Sequence, residues 1–340
     1  MRPRFAGILL AAALATAPLA AKDLTAKVLS FQELDGWVSD NHAEALSVFT
    51  STCTQIDGFE WPQLCQLASR GPDARAFFEL FFRPVEMIDG NPALFTGYYE
   101  PEIRGSRFRS PGFDVPVYRL PEGGTTLTRA QIADGGLAGR GLEIAWVADP
   151  VELFFLQIQG SGRIRLNDGG VIRLGFAGHN GHPYRSLGET LVRWGVYDPH
   201  QISAKVIGNW VSRNPVDGVE LLNSSPSYVF FREIRTLSSS TGPIGAMSKP
   251  ITPLRSIAVD PTMVPLGAPV WIEKNGQAKL ERLMIAQDVG SAIKGAQRAD
   301  IFYGTGDTAG DVARQVKDGG RLVMLLPIQL AYSLEERLAQ

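Results

Sequence analysis

The chain has 340 residues, which suits one large domain or two ordinary ones, and its 44% hydrophobic content is enough for real cores. A formal net charge of -2 excludes a general nucleic-acid binder, which carries a basic face, and leaves neutral or mixed ligands open. Thirty-six glycines and 22 prolines are spread along the chain, so many tight turns and a β-rich fold are expected.

The N-terminus reads as a targeting signal. Arg2 and Arg4 precede an apolar run over 5–15 and small residues through Ala21. That pattern fits a secretory signal peptide over 1–21 better than a span of about 20 apolar residues. Export permits a disulfide, and Cys53 and Cys65 are the only cysteines. Closing so short a loop contributes roughly 3 kcal/mol in the chain-entropy model; two small buried thiols are the alternative. Two cysteines without a histidine cluster build no metal site.

Residues 30–83 are expected to be helical. Ser30 and Glu33 have capping-box spacing, Leu46, Phe49, Cys53 and Ile56 fall on one helical face, and Pro72 can open a further helix through Phe82. The stretch FTGYYEPEI, 95–103, then changes the pattern to strand formers ended by Pro101. Tyr98 and Tyr99 can offer ring faces to a sugar, with Thr96, Gly97 and Glu100 beside them; ordinary half-buried packing is the alternative.

From about 104 to 185 the chain is strand-like and turn-rich. Runs at 115–120, 142–147, 153–158, 164–166 and 171–176 are separated by GG, GRG, DP, GSG and NDGG, so a small inserted β domain is expected over 104–185. Gln157, Gln159, Ser161 and Gly162 present amides and a hydroxyl on a turn, suited to the hydroxyl and N-acetyl groups of a glycan or to nothing beyond a β-turn. His179 and His182 sit among glycines with no acidic partner nearby, which does not suit a metal; Tyr184 and Arg185 can line a cleft. Ser186 with Glu189 caps a helix that Gly195 stops, and Asp198-Pro199 open another ending near Asn214-Pro215.

The stretch 255–306 reads as a site. Asp260, Asp288 and Asp300 each sit at the end of a short apolar run beside turn residues, including Gly304. Asn275-Gly276 marks a hairpin, a helix is expected over about 308–317, and the last strand over 321–326.

These three acids, with DVGSAIKGAQRADIFYGTG, FTGYYEPEIRGS, LQIQGSGRIRL, GHNGHPYRSLG and PSYVFFRE, resemble the membrane-bound lytic murein transglycosylase A family with its three-aspartate domain. The resemblance implies a mainly β fold with peripheral helices. Residues 22–103 and 186–340 would form a catalytic double-psi β-barrel, and 104–185 an inserted β domain lining the substrate groove.

It also implies cleavage, without added water, of the β-1,4 bond between N-acetylmuramic acid and N-acetylglucosamine in peptidoglycan. The muramic 6-hydroxyl attacks its own C1, so a single carboxyl group can serve first as acid and then as base. Asp300 aligns with that general acid; Asp288 would tune and orient it. Asp260, Lys294, Tyr184, Arg185, Ser186, Gly304 and Gly306 are expected glycan contacts, with a charge pointing to solvent as the alternative for Lys294. A turn-capping role is the alternative for Asp300 and for Asp260.

No cofactor is implied, the partner is the glycan strand, and a periplasmic monomer in peripheral contact with the wall-synthesis machinery is expected. No cysteine precedes Cys53, so the lipid acceptor of many relatives is missing. That departure argues against membrane anchoring. An inverting hydrolase using Asp300 with Asp288 or Glu100, and a non-catalytic wall-binding module, are the competing readings.

Overall fold

The structure is a computed structural model that describes residues 24–235, 238, 241–276 and 278–339. The expected signal peptide lies outside the described residues. Two sheets dominate, so the β-rich expectation holds. The first has nine strands in the order Thr25–Val28, Phe82–Ile88, Gly320–Pro327, Pro269–Lys274, Leu280–Val289, Ser256–Val259, Arg298–Thr305, Leu94–Glu100 and Lys317–Asp318. Most neighbours are antiparallel, but Ser256–Val259 runs parallel to Leu280–Val289, and Arg298–Thr305 parallel to Leu94–Glu100.

The second sheet has six strands in the order Val115–Tyr118, Glu143–Val147, Glu102–Ser106, Gly162–Leu166, Val171–His179 and Val229–Ile234. A bridge from Arg119 to Phe231 joins the first strand to the last, so the sheet nearly closes on itself around Val117, Val147, Ile164 and Ile172. It takes its last strand from 229–234, beyond residue 185. The chain crosses between sheets at Pro101, which has no N–H for either ladder.

The nine-stranded sheet packs against helices His42–Thr52, Trp61–Ala68 and Ala74–Phe81. Each forms for a local reason: Asn41 and Asp73 accept from backbone amides of the first turn, and Pro62 occupies an opening position of the middle helix. Their buried faces supply Phe49, Trp61, Phe77 and Phe78, which meet Phe82 with ring centroids 5.7–6.1 Å apart. Cys53 and Cys65 form a disulfide across this layer, with Cα atoms 5.5 Å apart.

Three expectations change on folding. Residues 153–158, read as a strand, belong to the helix Pro150–Gln159. Asp149 accepts from Val151 N, Pro150 opens the helix, and Gly160 closes it at φ 74°. The segment reads as continuous apolar because both sides are covered. Leu153 and Leu156 enter the six-stranded core, while Val151 and Phe154 face the helices that follow. Pro215, taken as a stop, opens a further helix, Pro215–Asn223. The helix expected over 308–317 spans Gly306–Ala313, because Lys317 and Asp318 pair instead with Thr96 and Phe95.

Candidate active site

The register of the large sheet assembles the site. Asp300 lies opposite Thr96 on one side and Ala258 on the other; Ala258 lies opposite Asp288, and Thr96 opposite Lys317. Paired residues share a face, so Asp288, Ala258, Asp300, Thr96 and Lys317 form one row across five adjacent strands. Alternation sends Ala299 and Ile301 into the core and Asp300 to the opposite face.

Asp288 joins this row only because of a β-bulge. Ile257 pairs with Ala286 and Ala258 with Asp288, so Gln287 is the extra residue that turns Asp288 to the site face. Gln287 is buried, accepts from Ser256 Oγ, and donates through Nε2 to Thr52 Oγ1 at 3.0 Å. A second bulge lies between Phe302 and Thr305, where Gly304 adopts φ +118°, a conformation that disfavours side chains.

The three aspartates sit in three environments. Asp300 is half-buried; Thr96 Oγ1 donates to its Oδ1 at 2.6 Å, and Oδ2 takes no hydrogen bond from any described residue. Burial pushes its carboxyl above the usual range, while Thr96 and the Arg298 charge pull it down. Asp288 Oδ1 accepts from Ala246 N and Val289 N, and its Oδ2 accepts from Tyr98 Oη at 2.9 Å. Burial nevertheless raises it to about 6, with a small push from Asp300. Asp260 is a loop staple: it accepts from Thr262 N, Thr262 Oγ1 and Gly295 N, and its pKa is lowered by these bonds against the opposing cost of burial. This is the turn-capping alternative, realised at Asp260.

Around the row, Tyr98 packs on Phe302 at 5.2 Å. Tyr99 points the other way, is 8% exposed, and is covered by Arg314, which donates to its hydroxyl at 2.6 Å; its ring face holds an arginine where a sugar was expected. Gly97 is small because a Cβ there would lie 2.8 Å from Ala313 Cα. Glu100 is 1% exposed and accepts from Arg163 Nε and Thr305 Oγ1, both at 2.8 Å, with Arg173 Nη2 at 3.4 Å. A carboxylate so surrounded joins the two sheets and has no freedom to act as a base.

Gln159 Oε1 accepts from Tyr99 N, tying the Pro150–Gln159 helix to the site strand, while Gln157 donates to Val229 O. Ser161 is buried, and Gly162 is closely approached by Leu156 and Pro101 O. Tyr184 lies 6.3 Å from Phe154, Arg185 N donates to Ser225 Oγ, and Ser186 caps helix Leu187–Arg193; these three share no contact with the aspartates. Lys294 is exposed, 3.9 Å from Asp260, and Gly306 has open space where a Cβ would stand. His179 accepts from Gly181 N, and His182 pairs with Thr126 O.

Lys317 and Arg298 were missed by sequence reasoning. Lys317 carries no local signal, since only the strand register brings it beside Thr96, whereas Arg298 shares the face of Asp300 by its spacing of two on one strand. Two cavities, of about 600 Å³ beside Phe31, Arg75 and Tyr332 and about 420 Å³ beside Arg119 and Phe231, exclude the aspartate row.

The fold and site thus define a two-sheet β protein that carries two partly buried aspartates, Asp288 and Asp300, in one row across its larger sheet. Residues 255–326 match the 3D domain, and residues 94–128 and 124–232 the MltA specific insert domain. The chain belongs to the lytic murein transglycosylase A family.

It is 34% identical over 242 residues to the membrane-bound lytic murein transglycosylase A of Vibrio cholerae, a match covering 67% of this chain and 64% of that protein. The crystal structure of MltA from Neisseria gonorrhoeae in its monoclinic form superposes with a TM-score of 0.81 at 32% identity, covering 91% of this chain and 94% of the other. Escherichia coli MltA with bound chitohexaose superposes at 0.71 with 29% identity, covering 86% and 90%.

Proposed function

We propose that this chain is a peptidoglycan lytic transglycosylase in which Asp300 alone serves as acid and then base. The observation that carries the reading is the Asp300 carboxyl: half-buried, raised by burial, and with one oxygen that has no hydrogen-bond partner among the described residues. Its substrate is the β-1,4 glycan of N-acetylmuramic acid and N-acetylglucosamine. The named activity of the relatives and the chitohexaose bound by one of them support that class. On this reading the large sheet is the double-psi barrel, residues 104–185 belong to the inserted domain, and the groove between them holds the strand. Export to the periplasm follows from the N-terminal segment.

The steps balance without water. Asp300 protonates the glycosidic oxygen as the C1–O4 bond breaks, releasing the N-acetylglucosamine 4-hydroxyl. The muramic O6 then bonds to C1, and its proton passes to the Asp300 carboxylate, which restores the acid. Tyr98, Thr96 and Lys317 border the reacting bond. Lys294, Tyr184, Arg185, Ser186, Gly304 and Gly306 lie along the more distant course of the glycan.

The inverting hydrolase has one observation in its favour. Asp288 stands two strands from Asp300 on the same face of the sheet, which gives the site a second carboxyl group, as an inverting pair requires. Its oxygens, however, already accept two backbone amides and the Tyr98 hydroxyl, which leaves little capacity to activate water. Mass spectrometry of fragments released from purified peptidoglycan decides. Anhydro ends, one water lighter than reducing ends, are expected, and reducing ends would establish hydrolysis. Asp300→Asn is expected to abolish turnover while glycan binding persists; retained turnover would remove the assignment.

A further inference from the structure

We propose that Arg298, acting through the Thr96 hydroxyl, is a positioning residue that places the labile proton of Asp300 on Oδ2. The proposal rests on Asp300 being the acid.

Arg298 lies two residues before Asp300 on the same strand and therefore on the same face. Its guanidinium is half-buried, and its hydrogen bonds among the described residues go to two carbonyls and one hydroxyl. Nη1 donates to Ala299 O at 2.6 Å and to Leu94 O at 3.2 Å, which clamps the side chain along the strand pair; Nη2 donates to Thr96 Oγ1 at 2.8 Å. Arginine has donors only. Thr96 must therefore accept from Arg298 and turn its own single proton to its other neighbour, Asp300 Oδ1, 2.6 Å away.

A carboxyl oxygen that is accepting a proton from a hydroxyl at that distance is a poor place to carry one. In the acid form the proton then belongs on Oδ2, the oxygen without a partner among the described residues. Without Arg298 the Thr96 hydroxyl could rotate, accept from Asp300, and let the proton sit on Oδ1, where it faces Thr96 and not the glycan. One arrangement of three side chains thus selects both the reactive oxygen and the direction of proton delivery.

The relay also sets the balance between acid and base. Burial favours the protonated form, and the Arg298 charge and the Thr96 bond favour the carboxylate that must form in the second half of the reaction. The other ionisable groups around Asp300 are Tyr98 and Tyr303, both held neutral by burial, Asp288 two strands away, and exposed Lys317 at the end of the row. Among them Arg298 is the cation linked to Asp300 by hydrogen bonds.

The test is the pH dependence of kcat/KM on purified glycan strands, for the full chain and for Arg298→Gln, Thr96→Val and Thr96→Ser, each checked for wild-type thermal unfolding. The alkaline limb, which reports loss of the Asp300 proton, is expected to move to higher pH in Arg298→Gln and Thr96→Val, with kcat reduced at least tenfold. In Thr96→Ser, which keeps the hydroxyl, the limb stays in place. The double variant Thr96→Val/Arg298→Gln is expected to lose little more kcat than Thr96→Val alone, because the relay is already cut. An unmoved limb in both single variants, with Asp300→Asn inactive, overturns the relay and leaves the acid assignment standing. Additive losses in the double variant also overturn it. Turnover by Asp300→Asn overturns both.

Discussion

Asp260, Asp288 and Asp300 are the same residue at similar strand ends, and their surroundings separate them. Asp260 is filled with donors and held low; Asp288 accepts as many bonds yet is raised to about 6 by burial. A raised carboxyl contributes stability that is complete below its unfolded pKa, near 3.8, and that is lost as pH climbs through the folded value. Over the window from about 4 to 6 the shift at Asp288 corresponds to roughly 3 kcal/mol at about 1.4 kcal/mol per unit. The fold therefore carries a strained anion at neutral pH. Asp288→Asn keeps an oxygen for Ala246 N and Val289 N and removes the charge. It is expected to be more stable than the wild type at pH 7.5 and to lose that advantage at pH 4, as read by denaturant midpoints at the two values. Equal midpoints at both would mean that Asp288 is not strained.

The elements carry the aspartates to their places, and here legibility varied. Short apolar runs beside turn residues marked the strands at 256–259, 283–286 and 301–303, so three acids at the ends of such runs were readable. What adjoins them was not. The bulge at Gln287 shifts one register by a single residue and thereby decides which face Asp288 takes, and no local signal announces such an insertion. The helix Pro150–Gln159 failed differently: an apolar run covered on both sides has no period to read, and its cap residues Asp149 and Gly160 were the better guide. At Gly304 the glycine was legible and its cause was not, since φ +118° in a bulge explains it without any ligand. Gly304→Ala is expected to cost about 1–3 kcal/mol, with a lower unfolding temperature as the measurement. Breaking the Cys53–Cys65 bridge in a double serine variant is expected to cost roughly 3 kcal/mol, read from denaturant midpoints.

At the scale of the whole molecule, the two sheets are joined by a charged knot. Glu100 ends the site strand. Arg163 and Arg173 reach it from neighbouring strands of the second sheet, Thr305 from the end of the Asp300 strand, and the Ser238, Thr241 and Gly242 carbonyls accept from Arg173. Two guanidiniums sharing one carboxylate leave the knot with a net positive charge even when intact. Glu100 neutralises one of the two positive charges, and the carbonyls around Arg173 offset part of the other. Glu100→Gln preserves shape and removes the anion, so both cations are left in a poorly solvated place, a loss of about 3–5 kcal/mol when one partner of a buried pair is removed. The molecule can avoid that cost by letting the sheets separate and water enter. Calorimetry is therefore expected to show one transition for the wild type and two for Glu100→Gln, with the six-stranded unit unfolding apart from the nine-stranded one. Because Glu100 lies four residues from Thr96 on the same strand, the loosened joint should also reach the row. On the proposed function, in which the glycan runs between the sheets, activity on long strands should fall further than activity on short oligomers that occupy the row alone. A single transition with equal losses on both substrates would mean that the knot is local packing and does not hold the two sheets together.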